Sequence, residues 1–101
     1  MQANTIQANY VDHQEGHYIA INFNRDWSQE DVAQLSRELL DKLGEIKVIE
    51  HAQGADLETL HFLYLDQEFL LSFEFYGQSC WIESLNNQGL AYLNDLYKVF
   101  C

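Results

Sequence analysis

The sequence predicts an α+β fold: a two-layer sandwich in which a mainly antiparallel sheet carries two helices on one face, in the order β-β-α-β-β-β-β-α. Three observations carry this expectation. Residues 57–84 alternate apolar and polar side chains through three runs joined by two tight turns. Residues 29–43 and 87–100 each repeat apolar residues at three- and four-residue steps, which gives two amphipathic stripes. A chain of 101 residues, 48% of them hydrophobic, buries about 65% of its unfolded surface, enough for one core. Residues 1–101 therefore read as a single domain.

Taken in order, residues 1–4 are expected to be disordered. Residues 5–11 form a weak strand with Ile6, Ala8 and Tyr10 on one parity. Gln14, Glu15 and Gly16 turn the chain. Residues 18–23 return as a stronger strand in which Ile19, Ile21 and Phe23 alternate with Tyr18, Ala20 and Asn22. The order in which this hairpin joins the sheet stays open. Ser28 caps the first helix, and Glu30 and Asp31 suit its positive end. Val32, Leu35, Leu39 and Leu43 make its stripe, and Gly44 ends it. Trp27, just before the cap, is placed to staple onto Val32 or Ala33. Residues 46–51 form a short strand and residues 53–56 a loop. After the central strands, Asn86 caps a second helix with Leu90, Leu93, Tyr97 and Phe100 as its stripe and Leu96 alongside.

The three central strands set the two faces of the sheet. Leu60, Phe62 and Tyr64, then Phe69, Leu71, Phe73 and Phe75, then Cys80 and Ile82 share one side. A type II′ turn at Gly77-Gln78 pairs Phe75 with Cys80, Phe73 with Ile82 and Ser72 with Glu83. A turn at Asp66-Gln67 pairs Tyr64 with Phe69, Phe62 with Leu71 and Leu60 with Phe73. Both registers keep the apolar set under the helices, and a one-residue slip would reverse every side chain.

On the reverse side these registers place His61, Ser72 and Glu83 in one row. Thr59, Glu74 and Trp81 fall in the next, with Tyr76 beyond and Leu63 facing Leu70. The candidate binding residues are thus Trp81, Tyr76, Glu74, Glu83, His61, Leu63 and Leu70. Tryptophan and tyrosine are enriched at binding hot spots, and the flanking carboxylates suit a basic partner. The first functional expectation is a protein-interaction or regulatory module that binds a protein partner through this acidic-aromatic face. A small enzyme or ligand binder using His61 with Glu74 or Glu83 is the alternative from another class. A homodimer whose open face or edge strand is structural is the third.

No catalytic residue is assigned. In the expected row serine lies between histidine and glutamate, whereas a hydrolase needs histidine between nucleophile and carboxylate. No metal or cofactor is expected either. His13 and His17 are four apart but span a turn, no third ligand is signalled, and no phosphate-binding or nucleophile-elbow motif is present. Cys80 reads as a small core residue and Cys101 as a terminal thiol. A net charge of −11, from 16 acidic and 5 basic residues, disfavours direct nucleic-acid contact. With no apolar run near the ~20 residues of a membrane span and no signal-peptide pattern, the expected location is the cytoplasm.

The segment Ser79-Cys80-Trp81-Ile82-Glu83, in a chain of this length ending in an amphipathic helix, resembles a family of small uncharacterised bacterial proteins. That resemblance implies no activity and no functional residue.

Overall fold

The computed structural model describes residues 6–13, 16–85 and 89–100. Strands β1 (Ile6–His13) and β2 (Gly16–Phe23) form the first hairpin. A 3₁₀ turn (Gln29–Asp31) leads into α1 (Val32–Leu43). Strands β3 (Lys47–Gln53), β4 (Leu57–Tyr64), β5 (Gln67–Glu74) and β6 (Ser79–Ser84) follow, then α2 (Gly89–Phe100). The sheet order is β1-β2-β6-β5-β4-β3, with every neighbouring pair antiparallel. The four later strands thus run as a meander from one edge inward, and β2 pairs with β6. This is the expected two-layer α+β arrangement, and it settles where the first hairpin joins. Residues 1–4 and the Asn86 cap lie outside the described residues.

The apolar parity of each strand packs beneath the helices. Ile19, Phe62, Phe69, Leu71, Phe73 and Ile82 are fully buried together with Leu39, Leu93 and Leu96 from the two helices. Burying each such side chain stabilises the fold by about 1.5–3 kcal/mol. Ile6, Ala8 and Tyr10 extend the core under α2, where Tyr10 meets Tyr97 edge-on at 5.7 Å. The α1 stripe is the expected one, and Gly44 ends the helix at φ 85°, a conformation that favours glycine. At the other end the Asp31 carboxylate accepts the Ser28 N–H at 2.9 Å.

Both central turns differ from the sequence expectation. The β4–β5 loop is Leu65-Asp66, with φ of 55° and 62°, so Tyr64 pairs with Gln67, Phe62 with Phe69 and Leu60 with Leu71. Two consecutive positive φ values are what a two-residue type I′ hairpin requires. Leucine is a poor residue for that conformation, so the turn does not announce itself in the sequence. The β5–β6 loop is not a II′ turn at Gly77-Gln78 but the four residues from Phe75 to Gln78, which leaves Glu74 opposite Ser79 and Phe73 opposite Cys80. Side-chain bonds hold it: the Glu74 carboxylate accepts the Gly77 N–H at 2.7 Å, and the Gln78 amide donates to the Trp27 carbonyl at 2.8 Å. Gln78 takes the positive φ, 53°. Each register moves by two residues. The two faces therefore keep their membership, while the cross-strand rows change.

Trp27 does not act as a local staple alone. It is buried in the core with Val32, and its ring meets Phe23, Phe73 and Phe75 edge-on. Strand β3 begins and ends later than expected. All seven of its residues are exposed, and a bulge between Val48 and Glu50 interrupts its pairing with β4. A bulge and the nearby Lys47 both blunt an edge strand against further pairing. Among the described residues no helix is long and apolar enough to cross a membrane.

Candidate functional site

The face away from the helices is built from the alternate parity of the same strands. Its central row runs Ala20, Trp81, Ser72, Thr59 across β2, β6, β5 and β4. The neighbouring row runs Tyr18, Glu83, Leu70, His61. These replace the expected rows. Leu70, not Ser72, separates His61 from Glu83, and Ser72, not Glu74, lies beside Trp81. Leu63 faces Glu68 rather than Leu70. Glu74 sits at the turn opposite Ser79, and Tyr76 is 93% exposed in the loop, off the strands. Trp81 and Glu83 are the two candidates held in direct contact.

That contact is specific. The Trp81 indole Nε1–H donates to Glu83 Oε2 at 2.7 Å. Residues two apart on a strand share a face, so the bond runs along β6 and sets the carboxylate at the edge of the indole. Ser72, between Trp81 and Thr59, is only 2% exposed, because its larger neighbours close over it. His61 pairs with neither Glu74 nor Glu83. Its Nε2 lies 2.9 Å from Glu68 Oε1, which corrects the grouping on which an enzymatic reading was built.

Over β2 and β6 this face forms a groove of about 690 Å³, lined by Tyr18, Ala20, Asn22, Gln78, Trp81 and Glu83. At Asn22 and Gln78 it adjoins a second hollow of about 600 Å³ around Asn24, Arg25 and Asp26. Arg25 pairs there with Asp31 at 3.0 Å. The Ser28 N–H and, after it, Arg25 hold the Asp31 carboxyl below its usual range. Sequence reasoning left Tyr18 on the right parity but unplaced, because nothing in the residues says that β2 docks on β6.

Acidic residues lie in both layers, Glu38 and Asp41 on α1 and Asp95 on α2 among them, whereas three of the five basic residues lie on the helices. Glu68, Glu74 and Glu83 belong to the open parity of β5 and β6, with Lys47 at the far edge opposite Leu63. Arg37 and Lys42 lie on α1 and Lys98 on α2. The open face is therefore acidic around an aromatic centre.

Two polar features lie elsewhere. Glu58 is on the core parity of β4 and is 2% exposed. Its Oε2 accepts from His51 Nε2 and, at 3.3 Å, from the Gln53 amide. Its Oε1 has no hydrogen-bond partner among the described residues. His17 lies 3.1 Å from Asp12, and the side chain of His13 is outside the described residues. Cys80 is a core residue, 4% exposed, and burial pushes its thiol far up from the ordinary value. A thiolate is the reactive form, so Cys80 should resist a maleimide in the native protein at neutral pH and react in urea. Peptide mapping checks this residue by residue, and rapid native labelling of Cys80 would refute it. Cys101 lies outside the described residues.

Neither a curated protein nor a solved structure matches this chain. One family model does match, across residues 6–98. With nearly the whole chain covered, the protein belongs to the family described as Protein of unknown function (DUF3630).

Proposed function

We propose that this protein is a protein-interaction module whose open sheet face binds a basic segment of a protein partner. One observation carries the reading. Trp81 is half-buried in a groove of about 690 Å³, bonded to Glu83, on a face whose acidic side chains outnumber its basic ones. An exposed aromatic anchored in a groove is the usual centre of a binding hot spot. Carboxylates around it favour a cationic partner and speed its approach at low salt. The pairing of β2 with β6 strengthens the reading, since it brings Tyr18 to the same groove. The observed registers of β4, β5 and β6 put Leu70 in place of Ser72 between His61 and Glu83, so the expected histidine-serine-glutamate row does not form.

Trp81→Ala is expected to leave the melting temperature nearly unchanged, because the ring faces away from the helix-covered core. It should weaken partner binding by about 2 kcal/mol, roughly 30-fold in Kd. The measurement is affinity purification from the native host with wild-type and Trp81→Ala bait, followed by calorimetry on whichever protein only the wild type retains. Equal retention by both baits, or an unfolded variant, would sink the proposal.

A further inference from the structure

Resting on that reading of the open face, we infer that Tyr18, Trp81 and Glu83 form a seat for one guanidinium group, an arginine head supplied by the partner. The register builds the seat. Trp81 pairs with Ala20 and Glu83 with Tyr18 across β2 and β6, so the two aromatics stand diagonal to each other with alanine's methyl beside the indole. Diagonal neighbours on one sheet face are about 7–8 Å apart. The groove that Tyr18, Ala20 and Trp81 line leaves open space beside both rings, where a flat group would lie at van der Waals contacts of about 3.5–4.0 Å. Ala20 is what keeps the space open; a larger residue there would close it.

The electrostatics select the occupant. The indole N–H is already spent on Glu83 Oε2, so Trp81 offers a ligand its ring face and not a donor. Ring faces carry negative potential and attract cations, tryptophan most strongly. Glu83 keeps Oε1 as an acceptor at the edge of the same ring. All three side chains line the one groove. A group that is flat, cationic and rich in N–H donors satisfies both demands, since guanidinium stacks on aromatic faces and is weakly hydrated. An ammonium is a compact, strongly hydrated point charge that does not stack. A neutral apolar side chain would leave the carboxylate unanswered.

The test needs no knowledge of the partner. N-acetyl-arginine amide is titrated into the ¹⁵N-labelled protein while the Trp81 indole N–H resonance is followed, identified by its loss in Trp81→Phe. A saturable shift is expected, at least ten-fold weaker for the uncharged isostere N-acetyl-citrulline amide and several-fold weaker for N-acetyl-lysine amide. Glu83→Gln keeps an acceptor for the indole but removes the charge, and should weaken arginine binding about ten-fold. Tyr18→Ala should weaken it several-fold. Equal binding of citrulline, an unaffected Glu83→Gln, or no saturable shift would overturn the seat. Equal binding of the lysine probe would overturn the guanidinium assignment. Since the probe is a single residue, its failure leaves partner capture by the face intact, and loss of that capture in Trp81→Ala bait is scored separately.

Discussion

Trp27→Ala is expected to lower the folding free energy by about 4 kcal/mol, the range for deleting a large buried aromatic. The ring is only 6% exposed although it lies in a connection rather than in a helix or strand. It stands edge-on to Phe73 at 5.5 Å, to Phe75 at 6.1 Å and to Phe23 at 6.4 Å. Such edge-to-face pairs add about 0.5–1.5 kcal/mol each beyond burial. Its backbone carbonyl also accepts the Gln78 amide at 2.8 Å, which ties the entry of α1 to the loop that borders the groove. Trp27→Phe should cost less than half as much, since it keeps an aromatic in the site. Urea unfolding followed by circular dichroism measures both, and the midpoint should fall at an unchanged slope. A loss below about 1.5 kcal/mol for the alanine variant would mean that the neighbouring rings collapse into the space.

The fate of Trp27 marks where the residues stop being legible. A tryptophan ahead of a Ser-x-x-Asp cap reads as a local staple, but Phe73 on β5 and Phe75 in the loop after it lie far along the chain, and no nearby residue points to them. Periodicity did better wherever burial alone decides the outcome. Phe62, Phe69, Phe73 and Ile82 lie under the helices, and Trp81 faces the other way, as alternation requires. Registers are a finer matter. Leu65 at φ 55° is a strained choice that no turn preference would select, and the Glu74 and Gln78 side-chain bonds lengthen the next loop beyond its glycine signal. Both shifts preserve parity, so they left the faces intact and rearranged only who sits beside whom. That is enough to put Leu70 in place of Ser72 between His61 and Glu83, while the approach of Tyr18 to Trp81 comes from the separate docking of β2 on β6. Glu58 was readable by parity, being two residues from Leu60, yet a carboxylate on a core face is noticed only once a partner is visible.

His51→Ala should cost about 3 kcal/mol, because it leaves the Glu58 carboxylate buried without its imidazole. A carboxylate only accepts hydrogen bonds, so His51 Nε2 carries the proton in their contact. Removing one member of a buried pair usually costs 3–5 kcal/mol. Here two features pull towards the lower end. His51 is itself 41% exposed, and the Gln53 amide still reaches Glu58 Oε2 at 3.3 Å. Glu58→Gln removes the charge and should cost less than about 1 kcal/mol. The sharper comparison is therefore the double variant, His51→Ala with Glu58→Gln. It should be more stable than His51→Ala alone, since the amide needs no counter-charge. Chemical denaturation of the four proteins closes a double-mutant cycle. Costs that simply add, or a His51→Ala penalty under about 1 kcal/mol, would show that Glu58 is not held by its histidine.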